Sequence, residues 1–209
     1  MRGYQQVLLD PAECVLLVVD HQPQMYFGIE GKKRACVLNA VKGLTKTAAI
    51  FQVPVVMTTV TAVDFGGPMV KGVLDVFAGH HPIDRTTLNA WEDTRVKKAV
   101  NDTKRKKLLI AGLWTEVCAT LPALSAMQDG FEVYVVVDAC GGSSYEAHDA
   151  AVLRMTQNGV TPVTWQSVLL EFQRDWADKA TYAAVNALIT ECGGAYGLGL
   201  EYAKVMKKS

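Results

Sequence analysis

The chain has 209 residues, with 21 basic and 21 acidic side chains, and half of its residues are hydrophobic. This length and composition allow one sizeable core, and the balanced charge is unsuited to nucleic acid. No apolar run approaches the roughly 20 residues that a membrane span needs, and residues 1–6 lack the apolar core of a signal peptide. We therefore expect one cytoplasmic domain over residues 1–209 that acts on a small molecule, with no nucleic-acid and no membrane partner.

Apolar, β-rich runs alternate with helical stretches along the chain. The apolar runs predict strands at residues 14–19, 53–57, 108–113, 133–137 and 160–164, with a short further strand at 81–85. Helices are predicted at about residues 33–51, 93–103, 118–129, 145–158 and 178–191. Near-continuous hydrophobicity is typical of parallel strands covered on both faces. The pattern predicts an α/β fold, a three-layer, doubly wound, mostly parallel, Rossmann-like sheet, with a helical C-terminal extension over about residues 170–209.

The cysteines do not suggest a disulfide framework or a zinc site. They are odd in number and none has CxxC spacing. They stand at Cys14, Cys36, Cys118, Cys140 and Cys192. The glycine clusters fit neither G-x-G-x-x-G nor a Walker loop, so we expect no nucleotide cofactor.

One cysteine lies at a position where a reactive thiol can form. The apolar run 107–111 is followed by Gly-Leu-Trp-Thr-Glu-Val-Cys at residues 112–118, which places Cys118 near the start of a helix. Helix-terminal amides stabilise anions, so a thiol there can have a pKa below its usual value of about 8.5. Free cysteines are also often simply buried. This segment alone leaves a reactive thiolate and a packing residue equally open.

Two further polar residues follow strands of the predicted sheet. Asp20 closes the first strand, and Arg85 follows Ile83-Asp84 at the end of the short strand at 81–85. Ligands of such sheets bind beyond the carboxyl ends of the strands, so both residues could converge with Cys118 on one crevice. Asp20 could instead cap a turn, and Arg85 could pair with Asp84 or Glu92 on the surface.

Three segments together resemble the isochorismatase-like cysteine hydrolases, and most of all their YcaC-type branch. They are Val-Val-Asp-His-Gln at 18–22, Ile-Asp-Arg-Thr-Thr-Leu-Asn-Ala-Trp at 83–91 and Ala-Gly-Leu-Trp-Thr-Glu-Val-Cys at 111–118. The similarity runs from about residue 8 to about 177. It implies the isochorismatase-like hydrolase fold, a parallel sheet of about six strands between helices.

The resemblance implies a catalytic triad of Asp20, Arg85 and Cys118, with Arg in place of the Lys of the wider family. Cys118 would attack a carbonyl carbon, and Asp20 would accept its proton and later activate water. An arginine can orient and stabilise both anions, but with its pKa above about 12 it cannot shuttle a proton. The resemblance also implies an oxyanion hole from the N–H groups of Trp114 and Cys118, with a cis peptide bond between Leu113 and Trp114.

Candidates for the substrate pocket are the aromatic and polar residues near the expected crevice. Each is equally plausible as a core residue, a turn residue or a subunit contact. They are His21, Phe27, Phe65, Asn89 and Trp91. The nicotinamidase branch binds a metal through histidines after the second strand, but residues 59–67 contain none, so we expect no metal.

The resulting hypothesis is a cofactor-free cysteine hydrolase acting on a small amide, imide or related C–N compound through a thioester-type intermediate. The C–N class follows from the resemblance. The alternatives are a thiol-based redox protein, with Cys140 as a possible second thiol, and a non-catalytic assembly protein that retains the fold. The resemblance also implies a homo-oligomer, an octamer of two tetrameric rings.

Overall fold

The computed structural model describes residues 8–207 of the chain, so the expectation drawn from residues 1–6 lies outside the described residues. Six parallel strands form one sheet in the order β3-β2-β1-β4-β5-β6. The strands are β1 (Cys14–Val19), β2 (Val55–Val60), β3 (Ile83–Arg85), β4 (Lys107–Gly112), β5 (Glu132–Val136) and β6 (Thr161–Val163). The strand order reverses between β1 and β4, which places the expected ligand crevice at their carboxyl ends.

Nine helices are present within residues 8–207. They are α1 (Pro23–Phe27), α2 (Arg34–Ile50), α3 (Lys71–Leu74), α4 (Thr94–Asp102), α5 (Thr120–Gln128), α6 (Tyr145–Gln157), α7 (Trp165–Gln173), α8 (Lys179–Cys192) and α9 (Ala195–Met206). A short π-helical turn at Ala62–Gly66 follows β2, and a second one at Thr115–Ala119 precedes α5. The helices flank the sheet, which confirms the predicted α/β fold.

Alternate side chains of each strand enter two separate cores, one on each face of the sheet. Along β1, Leu16 and Val18 belong to the core that α2, α7 and α8 cover. Val15 and Leu17 belong to the core that α4, α5 and α6 cover. Both faces of the strands are therefore buried, which explains their near-continuous hydrophobicity.

The boundaries of β2 differ from the predicted strand at 53–57. The strand continues through Thr58 and Thr59 to Val60, because these residues pair with β3. The Thr58 hydroxyl donates to the Ile83 carbonyl at 2.7 Å, so this buried polar side chain is satisfied. The polar threonines suggested the end of the strand, whereas their pairing with β3 extends it.

The helical predictions were close for α2, α4, α6 and α8 but incomplete elsewhere. The predicted helix at 118–129 begins only at Thr120, because a π-helical turn occupies the preceding residues. The sequence analysis did not predict the short helices α1 and α3. It also did not predict α7 as a helix of its own; α7 begins after the capping residue Thr164.

The C-terminal region contains two helices that differ in burial. α8 buries Val185, Leu188 and Ile189 in the same core as α2. α9 leaves much of its apolar surface exposed, including Tyr196, Leu198, Tyr202, Val205 and Met206. Within residues 8–207, no helix is both long and apolar enough to cross a lipid bilayer.

Candidate active site

Asp20 follows the last residue of β1 and is fully buried. Its φ of 56° lies in the left-handed region, which aspartate tolerates better than most residues. The Asp20 N–H donates to the Thr58 carbonyl at 2.9 Å, and the Asp20 carbonyl accepts from the Gln22 N–H at 2.8 Å. This tight turn fixes the carboxylate at the end of β1, next to the reversal in strand order.

Arg85 ends β3 and is 2% exposed. Its Nη2 donates to Asp20 Oδ2 at 2.6 Å, and both side chains are shielded from solvent. Its Nη1 donates to the Thr87 carbonyl. A buried charge is stable only with a partner, so the fold holds Arg85 against Asp20 rather than in a surface pair with Asp84 or Glu92.

Cys118 lies in the π-helical turn between β4 and α5 and is 6% exposed. The Trp114 carbonyl accepts from the amides of Val117 at 3.1 Å, Cys118 at 2.8 Å and Ala119 at 3.4 Å. These three amides therefore bond within the turn, whereas the Trp114 N–H donates to the Cys118 sulfur. Strands β1 and β4 are hydrogen-bonded neighbours, which brings Cys118 close to Asp20.

The electrostatics of the site contradict a resting thiolate. Burial raises the pKa of the Cys118 thiol above its usual range, and the neighbouring Asp20 carboxylate raises it further, while Arg85 opposes both effects. The sequence left a low-pKa thiolate and a packing residue equally open; the Trp114 N–H does act to lower the pKa of Cys118, but burial and the nearby carboxylate outweigh it. Cys118 rests as a thiol and needs a base.

Asp20 has the properties of such a base. Burial raises the pKa of its carboxyl group to about 6, although the Arg85 guanidinium acts to lower it. Asp20 is therefore mostly ionised at neutral pH and remains a stronger base than an exposed aspartate. Its Oδ1 is buried and has no hydrogen-bond partner within the described residues, which leaves that atom available for a proton.

The backbone before Cys118 contains the donors considered for an oxyanion hole. The peptide bond between Leu113 and Trp114 is cis. The Trp114 N–H donates to the Cys118 sulfur, which acts to lower the pKa of the thiol, and the Cys118 N–H donates to the Trp114 carbonyl. The Trp114 indole is fixed separately, because its Nε1 donates to the Met25 carbonyl at 2.9 Å.

Three of the five pocket candidates are buried and form hydrogen bonds within the fold. His21 is fully buried with its Nδ1 2.8 Å from the Tyr26 hydroxyl, and burial lowers its pKa to about 3, so it is neutral. Asn89 accepts from the Trp91 N–H at 3.0 Å in a turn. The Trp91 indole is buried and donates to Asp129 at 2.7 Å. These contacts hold Asn89 and Trp91 within the fold.

The two phenylalanine candidates are different, because both are exposed. Phe27 ends α1 and Phe65 lies in the π-helical turn after β2.

The π-helical turn that carries Phe65 is held by Gln22, a buried residue that the sequence analysis missed. A polar side chain directly after Asp20-His21 at a strand end was the available signal, since buried amides need partners.

No metal centre or thiol pair is evident in the part of the chain that the structure describes. Within residues 8–207, no three His, Cys, Asp or Glu side chains are placed to hold a metal ion. All five cysteines are free. Cys140 is fully buried, its Sγ accepts from the Gly112 N–H at 3.4 Å, and burial raises its pKa to about 12.

Comparison with known proteins gives the family. Residues 14–167 match the family model described as Isochorismatase domain. The chain is 36% identical over 171 residues to the Probable hydrolase YcaC of Escherichia coli, covering 81% of this chain and 82% of that protein.

Two solved structures resemble the whole fold. The crystal structure of the Escherichia coli YcaC gene product is described as an octameric hydrolase of unknown specificity. It superimposes on this chain with a TM-score of 0.91 at 33% sequence identity, and the match covers 98% of this chain and all of the YcaC chain. YcaC from Pseudomonas aeruginosa, solved with hexane-2,5-diol and covalent acrylamide, has a TM-score of 0.91 and 32% identity over the same shares of the two chains. The chain therefore belongs to the isochorismatase family of hydrolases, in its YcaC-type branch.

Proposed function

We propose that this hydrolase acts on small amides, imides or related C–N compounds, with Cys118 as nucleophile, Asp20 as general base and acid, and Arg85 as a fixed cation. The observation that carries the proposal is the buried Arg85–Asp20 ion pair beside Cys118, at the reversal in strand order. The covalent acrylamide in the Pseudomonas aeruginosa relative supports a reactive nucleophile in this branch.

The first half of the reaction forms an acyl-enzyme. Asp20 takes the Cys118 thiol proton as the sulfur forms a bond to the substrate carbonyl carbon. The Trp114 N–H, which donates to the Cys118 sulfur, and the Cys118 N–H, which donates to the Trp114 carbonyl, would both have to share their bonds with the resulting oxyanion. The C–N bond then breaks, and protonated Asp20 gives its proton to the leaving nitrogen.

The second half releases the acid. Asp20 takes a proton from a water molecule as the water oxygen bonds to the thioester carbon, and the C–S bond breaks. The thiolate recovers its proton from Asp20, so every step uses groups of the chain and needs no metal or cofactor. Arg85 keeps Asp20 ionised between steps, because its positive charge opposes the effect of burial on the carboxyl pKa.

The test is a screen of amides, imides and thioesters with the intact mass of the protein followed over time. Wild type should gain the mass of one acyl group, Cys118→Ala should gain none, and Asp20→Asn should gain it far more slowly. Adduct formation on Cys118→Ala would overturn the assignment of the nucleophile.

The two other functions make different predictions with the same variants. A redox thiol would consume peroxide in Asp20→Asn as fast as in wild type, and an assembly protein would show no chemistry at Cys118. The deep burial of Cys140 offers no support for a resolving thiol.

We further propose a cytoplasmic homo-octamer of two tetrameric rings. The octameric Escherichia coli relative, which this chain covers completely, supports the assembly, and the exposed apolar surface of α9 is compatible with subunit contacts. Five free cysteines fit a reducing compartment. Cell fractionation tests the location.

A further inference from the structure

The turn that carries Cys118 is held by two of its own side chains. Thr115 and Glu116 open this π-helical turn, and both bond to the segment that runs from β5 into α6. Their partners there are His148 and Ser143, and we call these four residues the turn clamp. π-helical turns are rare and occur often at functional sites, so the contacts that fix this one bear on its chemistry.

The bond between Thr115 and His148 is the buried part of the turn clamp. Thr115 Oγ1 and His148 Nδ1 form a hydrogen bond of 2.8 Å. Thr115 is fully buried and His148 is 5% exposed, so both groups are shielded from water. Buried polar groups need a partner, and here each side chain supplies one for the other. Valine has nearly the shape of threonine without the hydroxyl, so packing alone does not call for this pair.

Thr115 is also held through its backbone. Its N–H donates to the Gly141 carbonyl at 3.1 Å, and its carbonyl accepts from the Thr120 hydroxyl at 2.6 Å. In the more exposed part of the turn clamp, Glu116 Oε1 accepts from the Ser143 N–H at 3.0 Å and from the Ser143 hydroxyl at 2.5 Å. The start of the turn is therefore fixed by backbone and side-chain bonds together.

The other end of the turn clamp belongs to the first turn of α6. Ser144 caps this helix by accepting from the Ala147 N–H at 3.0 Å, and the His148 N–H donates to the Ser144 carbonyl at 3.1 Å. Further along α6, Met155 lies in the same buried core as Ile110 of β4. The turn is thus tied to a helix that packs on the sheet.

His148 is uncharged at neutral pH. Burial lowers the pKa of its ring to about 4, and the Lys32 cation acts in the same direction, while the carboxylates of Asp149 and Glu116 oppose it. Neutral imidazole has one donor and one acceptor nitrogen, so the bond to Thr115 keeps its character at all pH values above about 5.5.

We propose that Thr115 and His148 are positioning residues, whose hydrogen bond orients the turn so that the Cys118 thiol faces Asp20. The thiol is hydrogen-bonded to the Asp20 carboxylate, and proton transfer between them requires that contact. Both residues act through the turn and not by touching the substrate. The inference rests on the proposed roles of Cys118 and Asp20, and the experiment below separates the two.

The test follows alkylation of Cys118 by iodoacetamide in the full chain between pH 5.5 and 9.5, with peptide mass spectrometry. The Cys118 sulfur bonds to the methylene carbon, iodide leaves and the thiol proton passes to Asp20. Exposed Cys36 is the internal reference, since its rate at each pH should be the same in every variant. The variants are Thr115→Val, which removes the hydroxyl, Thr115→Ser, which keeps it, and His148→Phe.

In wild type the Cys118 rate should rise through about pH 6 and then level off, because ionised Asp20 takes the thiol proton. In Thr115→Val the rate at pH 7 should be about tenfold to a hundredfold lower. It should also keep rising up to pH 9.5, because a displaced thiol must lose its proton to solvent. Thr115→Ser should keep the wild-type profile.

His148→Phe should reproduce the profile of Thr115→Val. The double variant should be no slower than either single variant, because all three lack the same hydrogen bond. A double variant whose rate loss is the product of the two single losses would contradict a shared bond and overturn the proposal.

Thr45→Val is the matched control. Thr45 is as buried as Thr115, and its hydroxyl donates to the Val41 carbonyl at 2.9 Å. It lies in α2, which packs into the core that does not contain Cys118. Thr45→Val should therefore leave the Cys118 rate and its pH profile unchanged, and thermal denaturation gives the stability of each variant.

The remaining outcomes separate the proposal from the function on which it rests. A wild-type profile in folded Thr115→Val, or an equal loss of rate in Thr115→Ser and Thr115→Val, would overturn the positioning role and leave the hydrolase function intact. A wild-type rate that does not rise near pH 6 would refute Asp20 as the base, and the positioning role with it. If Thr115→Val does not fold, His148→Phe provides the same comparison.

Discussion

The buried ion pair predicts a large change in pH dependence when Arg85 is replaced by Met. Burial raises the pKa of Asp20 to about 6, and Arg85, whose Nη2 lies 2.6 Å from Asp20 Oδ2, keeps it from rising further. Loss of a neighbouring opposite charge raises a carboxyl pKa by about 1 to 3 units. We therefore expect an Asp20 pKa of about 8 in Arg85→Met.

The sign of the effect follows from the role of Asp20 as a base, which acts only when ionised. In wild type kcat/KM should rise with pH through about 6. In Arg85→Met the same rise should occur near pH 8, so that about a tenth rather than nine-tenths of Asp20 is ionised at pH 7. The kcat/KM of the variant should be about tenfold lower at pH 7 because less of Asp20 is ionised, and it should recover much of that loss at pH 9. Arg85→Lys keeps the charge, so its rise should stay near that of wild type.

The assay is kcat/KM for one neutral acyl substrate between pH 5 and 9.5, with thermal denaturation at each pH. His21 cannot supply the rise near pH 6, because burial lowers its pKa to about 3. Breaking a buried pair costs about 3–5 kcal/mol, so the denaturation curves show whether Arg85→Met is folded. A pH-independent loss in folded Arg85→Met, or a rise that remains near pH 6, would refute the assignment of Asp20 as the base.

Four other outcomes are expected. Asp20→Asn should lose hydrolysis almost completely, because no base then takes the proton of the buried Cys118 thiol; unchanged turnover would be incompatible with the triad. Cys118→Ala should abolish turnover but shift the melting temperature little, and a loss of several degrees would instead indicate a packing role. Gly28→Ala should lower activity by displacing the Trp114 indole, since a Cβ at residue 28 would lie 2.3 Å from that ring; kinetics and indole fluorescence test this. Light scattering should give a mass several times 22.7 kDa, and a monomeric mass would exclude the octamer.

Much of the fold follows from local pattern. The runs at 14–19 and 108–113 are apolar at nearly every position because both faces of β1 and β4 are covered, so the sequence alone indicates central parallel strands. The polar residues that end these strands are equally visible, and the spacing of the three motifs was enough to identify the family. Asp20, Arg85 and Cys118 could therefore be selected before any coordinates were known.

The protonation states and the contacts of the pocket candidates depended on tertiary structure. The pKa of Cys118 reflects burial and the approach of Asp20 from another strand, which outweigh the local helix-terminal position that sequence reasoning considered. The hydrogen-bond partners of the pocket candidates Asn89 and Trp91 are visible only in the fold. Motif spacing thus reveals which groups can meet, whereas their ionisation and accessibility depend on long-range contacts that a linear pattern does not contain.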